Sequence, residues 1–219
     1  MELALSSFPA GANTIIGSSP SILRAITDPR IDLAIQERQL AEDVKVWLDA
    51  LPVEVLPRGR VLIHIDDIDV VLRAMMQAAG TPDKPYADEF RADVACLARA
   101  FATVAQVDIV DVRLDVIFHD ACWKFHRDLV EMRLLTTYRG PGTQIVPLSR
   151  GEDALRAQGD YDGPVSDLPP HAVAIFKGSN TGPGKGVVHR SPPIAGSGIH
   201  RFMLCINKIS SASPERWHV

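Results

Sequence analysis

Two periodicities divide the chain. From Gln39 onward Leu40, Val44, Trp47, Leu48 and Leu51 recur at helical spacing until Pro52 ends the run. A second apolar stripe, Ile68, Val71, Leu72 and Met75, follows Asp66 and Asp67, either of which can cap a helix, and closes at Gly80 and Pro82. A third helix is predicted from about Tyr86 to Val107, with Phe90, Val94, Leu97, Ala98, Phe101 and Val104 on its buried face. Two short strands interleave with these helices, at 31–36 and 60–65, where apolar and polar residues alternate.

Beyond Val107 the pattern changes. Short β-leaning runs at 110–118, 133–138, 144–147, 172–176, 186–190 and 201–206 are separated by Gly/Pro-rich connections such as Gly140-Pro141-Gly142 and the stretch Gly178 to Gly184. The chain is therefore expected to be α+β: an irregular N-terminal arm at 1–28, a mainly helical layer at 29–107, a β-core at 108–208 and a C-terminal tail at 209–219. The stretch 149–170 is expected to be a polar excursion loop.

Composition adds boundaries. The 219 residues suffice for one sizeable domain, and 46% hydrophobic with 23% charged residues is ordinary for a globular protein. A net charge of -4 argues against a general nucleic-acid binder, which needs a basic surface to neutralise phosphates. No apolar run is long enough for a membrane span, and the first residues lack the basic and apolar regions of a secretory signal, so a cytoplasmic location is expected. The three cysteines, Cys96, Cys122 and Cys205, form no CxxC pair and no disulfide framework.

The candidate chemistry centres on Cys122-Trp123-Lys124-Phe125-His126-Arg127-Asp128. In an extended strand, residues two apart project from the same face, so His126 and Asp128 can aim at one point. With a second histidine they would complete the 2-His-1-carboxylate triad of non-haem Fe(II) centres, which keeps coordination positions open. His189 is the candidate for that third ligand. On the strand that follows, Phe202, Leu204 and Ile206 would face the helices, leaving Arg201, Met203 and Cys205 on the other face, where a guanidinium can grip a carboxylate. Arg139 and Lys177 are rival clamps, and Tyr138 is a candidate hydroxyl donor to the pocket.

These residues carry a resemblance. His126-x-Asp128, His189 and the basic residue on the next strand resemble the Fe(II)/2-oxoglutarate-dependent oxygenases, a branch of the cupin-like double-stranded β-helix, or jelly roll. The runs Cys122 to Asp128, Arg133 to Thr143 and His189 to Pro193 more closely resemble an uncharacterised bacterial family of unknown function, whose members often resemble proteins encoded beside zinc-homeostasis genes. The resemblance implies His126, Asp128 and His189 as metal ligands, Fe(II) or Zn(II) as the metal, and Arg201 as the partner of the distal carboxylate of 2-oxoglutarate. Met203 departs from the oxygenase pattern, which often has a hydroxyl residue two positions after the basic one.

Other assignments stay open. The same three ligands would serve a non-catalytic metal-binding protein in zinc homeostasis, or a hydrolase or isomerase using metal-bound water. His119, Cys122 and His126 form a rival zinc set, and His64, His171, His200 and His218 are expected in core or surface roles. His126-Arg127-Asp128-Leu129 also opens like a protein-kinase catalytic loop, but Arg133 stands where that motif requires Asn.

Overall fold

The computed structural model describes residues 13–83, 85–182 and 185–217, so residues 1–12 of the arm, Pro183-Gly184 of the glycine-rich turn and His218 lie outside it. The elements in chain order are β1 (Thr14–Gly17), β2 (Leu33–Gln36), α1 (Glu42–Ala50), β3 (Gly59–His64), α2 (Ile68–Ala79), α3 (Ala87–Ala105), β4 (Ile109–Ile117), β5 (Met132–Arg139), β6 (Gln144–Ile145), α4 (Gly151–Ala157), β7 (Ser166–Asp167), β8 (Val173–Lys177), β9 (His189–Arg190) and β10 (Arg201–Lys208). The fold is mixed α+β. Seven strands make a largely antiparallel sheet in the order β1-β2-β8-β5-β10-β4-β3, and three make a smaller sheet, β7-β6-β9. Among the described residues no helix is long and apolar enough to cross a membrane.

Alternation along the large sheet separates two environments. Val110, Val112 and Leu114 of β4, Leu134 of β5, Ile175 of β8, and Phe202, Leu204 and Ile206 of β10 pack with Leu48, Val71, Leu72, Phe90, Val94 and Phe101 of the helices. The opposite face contributes Leu33, Ile35, Leu135, Ala174, Phe176 and Cys205 to a second core shared with Ile145, Leu168 and Val187, which places the small sheet across it. The central strand β10 pairs with β4 on one side and β5 on the other, with a register shift against β5 between Phe202 and Met203.

Three local expectations change. The N-terminal arm contains β1, which pairs in parallel with β2, and a 3-10 helix at Pro20–Thr27 capped by Ser19 with Leu23 and Ile26 buried. Four residues are too few to display a period, so β1 exists through its pairing. The predicted loop 149–170 contains α4 and β7, because Ala154 and Leu155 find an apolar seat against Phe125, Val146 and Val188. At α2 Asp67 occupies the N-cap position without a side-chain capping bond, the preceding 3-10 turn is capped by His64 Nδ1, which accepts the Asp66 amide, and Gly80 closes the far end in the left-handed conformation at φ 70.

Tyr138 also requires correction. Its place on β5 turns it away from the small sheet and into the helix-side core, where its hydroxyl donates to Asp93 Oδ2 at 2.6 Å. Arg38 grips the same carboxylate, and burial pushes the phenol well above its ordinary pKa. One position out of phase separates Tyr138 from Thr137, which pairs with cavity-lining Met203, so Tyr138 holds a helix to the sheet rather than a ligand. Tyr138→Phe is expected to cost about 1 kcal/mol in urea unfolding, since it removes a hydroxyl donor from the part-buried Asp93 carboxylate, with divalent-metal stoichiometry unchanged.

Candidate metal centre

His126 lies outside the named strands yet forms an isolated antiparallel bridge with His189. The two residues exchange both backbone hydrogen bonds, at 3.0 and 3.1 Å, which sets their rings 4.5 Å apart. His189 in turn pairs with Ile145 of β6, so the His126 segment extends the edge of the small sheet. Asp128 is fixed by its carbonyl, which accepts from the Ser179 amide at 2.9 Å and the Ser179 hydroxyl at 3.1 Å. This clasp needs Gly178: a Cβ there would stand 2.2 Å from the Val130 carbonyl oxygen and 2.6 Å from that of Asp128.

The side chains converge. His126 Nε2 lies 3.6 Å from Asp128 Oδ1, and His189 Nε2 lies 3.3 Å from Asp128 Oδ2. Potential ligand atoms of all three residues fall within 4.8 Å of one another, the one such grouping among the described residues. Each imidazole has its other nitrogen against a backbone carbonyl: His126 Nδ1 to Lys124 at 2.8 Å and His189 Nδ1 to Val187 at 3.1 Å. A carbonyl only accepts, so both Nδ1 atoms carry hydrogen, and in the neutral rings both Nε2 atoms present lone pairs to a carboxylate. Such an arrangement calls for a cation at its centre, either protons or a metal ion.

The electrostatics of the site follow from that geometry. Burial draws the His126 pKa down, but hydrogen bonding to Asp128 and to the Lys124 carbonyl outweighs it, and the net shift is upward from 6.5. Burial raises the Asp128 carboxyl, yet the two imidazoles, which donate from Nε2 when protonated, and the nearby charge of Arg133 hold it well below the usual carboxylate range. Arg133, which the sequence pattern did not mark, donates from Nη1 to Asp128 Oδ2 at 2.5 Å and from Nε to Asn207 Oδ1 at 2.7 Å. Its only sequence signal was inward phase on β5, two residues from Leu135.

A cavity of ≈ 320 Å³ opens beside the triad, with His126, His189, Cys122, Met203, Thr143 and Ser191 in its wall. Phe176, fully buried, packs against the His189 ring at 4.9 Å between centroids with the planes tilted by 57°. Arg201 sits behind this wall with no solvent exposure. It donates from Nε to the Pro141 carbonyl at 2.8 Å, from Nη1 to Ser191 Oγ at 2.8 Å and from Nη2 to Thr143 Oγ1 at 3.1 Å. All three acceptors are neutral. Burial lowers its pKa to about 10, which still leaves it cationic at neutral pH.

The rival residues lie elsewhere. Arg139 donates to the Leu51 carbonyl at 2.8 Å, and the Lys177 ammonium donates to the carbonyls of Asp28 and Pro29 at 2.9 and 3.3 Å. His119 Nδ1 accepts the Ala121 amide at 3.1 Å, and the set His119, Cys122 and His126 does not appear among the described ligand groupings. Cys122 itself reaches the cavity wall, on a left-handed backbone at φ 57.

Residues 17–207 match the model of the family described as a protein of unknown function, DUF1826. The chain belongs to that family. No curated protein matches this DUF1826 sequence. Among solved structures the chain is similar to a Pseudomonas putida prolyl-4-hydroxylase, at 14% identity and TM-score 0.44 over 87% of this chain and 99% of that one. It is also similar to the dioxygenase for auxin oxidation in rice, at 12% identity and TM-score 0.48 over 94% and 87%. A third is a full-length Neurospora crassa protein in complex with alpha-KG and thymine, at 13% identity and TM-score 0.37 over 89% and 84%.

Two expectations follow from the site. His126, with its raised pKa, contributes stability to the metal-free protein below pH 6.5, and that contribution is lost as pH rises through the raised value. Asp128, with its lowered pKa, contributes above the usual carboxylate range and loses that contribution only in strong acid. Thermal unfolding of metal-free protein should therefore show a loss of stability on the alkaline side of pH 6.5 that His126→Ala abolishes. Gly178→Ala should lower metal occupancy, read by elemental analysis after dialysis, because the new Cβ displaces the Asp128 carbonyl.

Proposed function

We propose that this DUF1826 member is a mononuclear non-haem Fe(II) oxygenase that uses 2-oxoglutarate, built on a double-stranded β-helix of which the stretch 108–208 is the core. The observation that carries the reading is the pair of Nε2 lone pairs set at 3.6 and 3.3 Å from one carboxylate beside an open cavity. His126, Asp128 and His189 would hold the metal as a facial triad. Three protein ligands leave positions for small molecules, whereas a closed structural zinc site takes a fourth protein ligand. The grouping among the described residues has three.

Such a centre supplies, when loaded, the reduction of dioxygen coupled to oxidative decarboxylation of 2-oxoglutarate, with succinate and an oxidised substrate as products. The chain's own residues bind and orient. The Nδ1 hydrogen bonds fix both imidazoles in the tautomer that offers Nε2, and Arg133 holds one oxygen of Asp128. Arg201 is a buried cation with no counter-charge among the described residues, and an incoming carboxylate would compensate it. The hydroxyls of Thr143 and Ser191, which line the cavity and bond the guanidinium, would take the place of the hydroxyl that the Met203 position lacks. Leu135 and Met203 would give the pocket beside the metal an apolar wall.

The test is an anaerobic titration of 2-oxoglutarate into Fe(II)-loaded protein, monitored for a visible charge-transfer band. The band is expected in the wild type, and Arg201→Met should weaken 2-oxoglutarate binding by about tenfold or more while metal stoichiometry holds. Persistent zinc with no band would overturn the oxygenase reading in favour of a metal-binding role.

A further inference from the structure

At the end of the cavity away from Arg201, three strands of the large sheet place three arginines in the wall: Arg60 of β3, Arg113 of β4 and Arg133 of β5. Arg60 and Arg113 are direct cross-strand partners. Like charges opposite one another are unfavourable, so a sheet keeps such a pair only with compensation. Here the compensation lies to the side of or beneath the guanidiniums. Asp111, fully buried, receives Arg60 Nε at 2.9 Å and Arg60 Nη2 at 2.7 Å, and Ser213 Oγ donates to it at 2.7 Å. Arg113 Nη2 binds Asp115, and Arg133 is held by Asp128 and Asn207.

Each guanidinium is thus anchored by part of its donor set and keeps the rest. Among the described residues, Arg60 Nη1, Arg113 Nε and Nη1, and Arg133 Nη2 have no protein acceptor. Asp115 is the one carboxylate among the lining residues at this end. The Arg113 and Arg133 strands flank β10, two strand spacings apart, on the order of 10 Å at the backbone. Arg133 joins the band to the triad through Asp128, while Leu129, Val130, Leu135 and Met203 give the same cavity an apolar wall. The C-terminal segment closes the band from outside: Ser210 and Ala212 line the cavity, held by the Ser213 to Asp111 bond and by the Trp217 amide on the Leu62 carbonyl at 2.8 Å.

We infer that this arginine band is the recognition site for the primary substrate, a small molecule with an apolar body and an anionic end group, carboxylate or phosphate. This inference rests on the oxygenase reading for what happens at the metal, but the anion site itself stands on the sheet register. Anchored guanidiniums with free N–H edges are suited to bidentate binding of planar or tetrahedral oxyanions. The apolar wall then carries the rest of the molecule toward His126 and His189. Loading the triad strengthens the site, because a cation drawn to Asp128 leaves Arg133 less compensated.

The probes are hexanoate, hexyl phosphate, hexylamine and hexanol, titrated by calorimetry into full-length metal-loaded protein, both wild type and Arg201→Met. At least one anion is expected to bind about tenfold or more tightly than hexanol in both backgrounds, to weaken with added salt, and to lose about tenfold or more in Arg113→Gln. Arg113 is half exposed, so this variant should fold, and its metal stoichiometry and 2-oxoglutarate band serve as the check. Hexanol or hexylamine binding as tightly as the anions would overturn the inference. So would anion binding that survives Arg113→Gln, or that disappears in Arg201→Met alone; in those cases a persisting 2-oxoglutarate band leaves the oxygenase reading standing. Arg113-dependent anion binding without a band would instead sink the oxygenase reading and keep the anion site.

Discussion

One buried carboxylate facing two imidazole lone pairs organises this molecule. Asp128 accepts from Arg133 on one side and meets His126 and His189 on the other, and both rings are locked by carbonyls that dictate which nitrogen faces inward. Neutral rings would set their lone pairs against the carboxylate, an arrangement that a cation between them relieves. Protons can fill that role, which is why His126 is pushed upward in pKa. Under the proposed function a divalent metal would take that role.

The surrounding structure serves that point. The backbone pairing of His126 with His189 joins an otherwise irregular segment to the small sheet, and the glycine at 178 lets the Asp128 carbonyl approach the loop after β8. The large sheet supplies the floor. Because β10 is central, its inward residues Met203, Cys205 and Asn207 line the cavity, with Arg201 of the same strand buried behind the wall. Its outward residues Phe202, Leu204 and Ile206 anchor the same strand to the helices. Rigidity on the helix side is what keeps the ligand side in place.

Charge is distributed by the same logic of desolvation. Asp111 and Asp93 are both engaged by arginines, Arg60 and Arg38, and each receives a further hydroxyl, from Ser213 and Tyr138. These are structural pairs whose members satisfy one another. Arg201 differs, because its partners are a carbonyl and two hydroxyls. A buried cation left with neutral acceptors is costly to the fold and useful to a ligand.

Much of this was legible in the residues themselves. Helical spacing located α1, α2 and α3, alternation located most strands, and the phase of β10 separated Arg201 from Phe202. The H-x-D spacing with a distant histidine named the three side chains that converge, because ligand chemistry restricts which residue types can serve. What stayed hidden depends on contacts remote in sequence. β1 is too short to carry a period, α4 is helical because a distant apolar seat receives it, and Tyr138 was one position out of phase with the pocket. Arg133 and the Arg60 and Arg113 pair look like ordinary strand arginines until strand order sets them along one cavity. Periodicity is local and survives in one dimension; the meeting of side chains from separate strands and loops is a property of register, which only the tertiary structure decides.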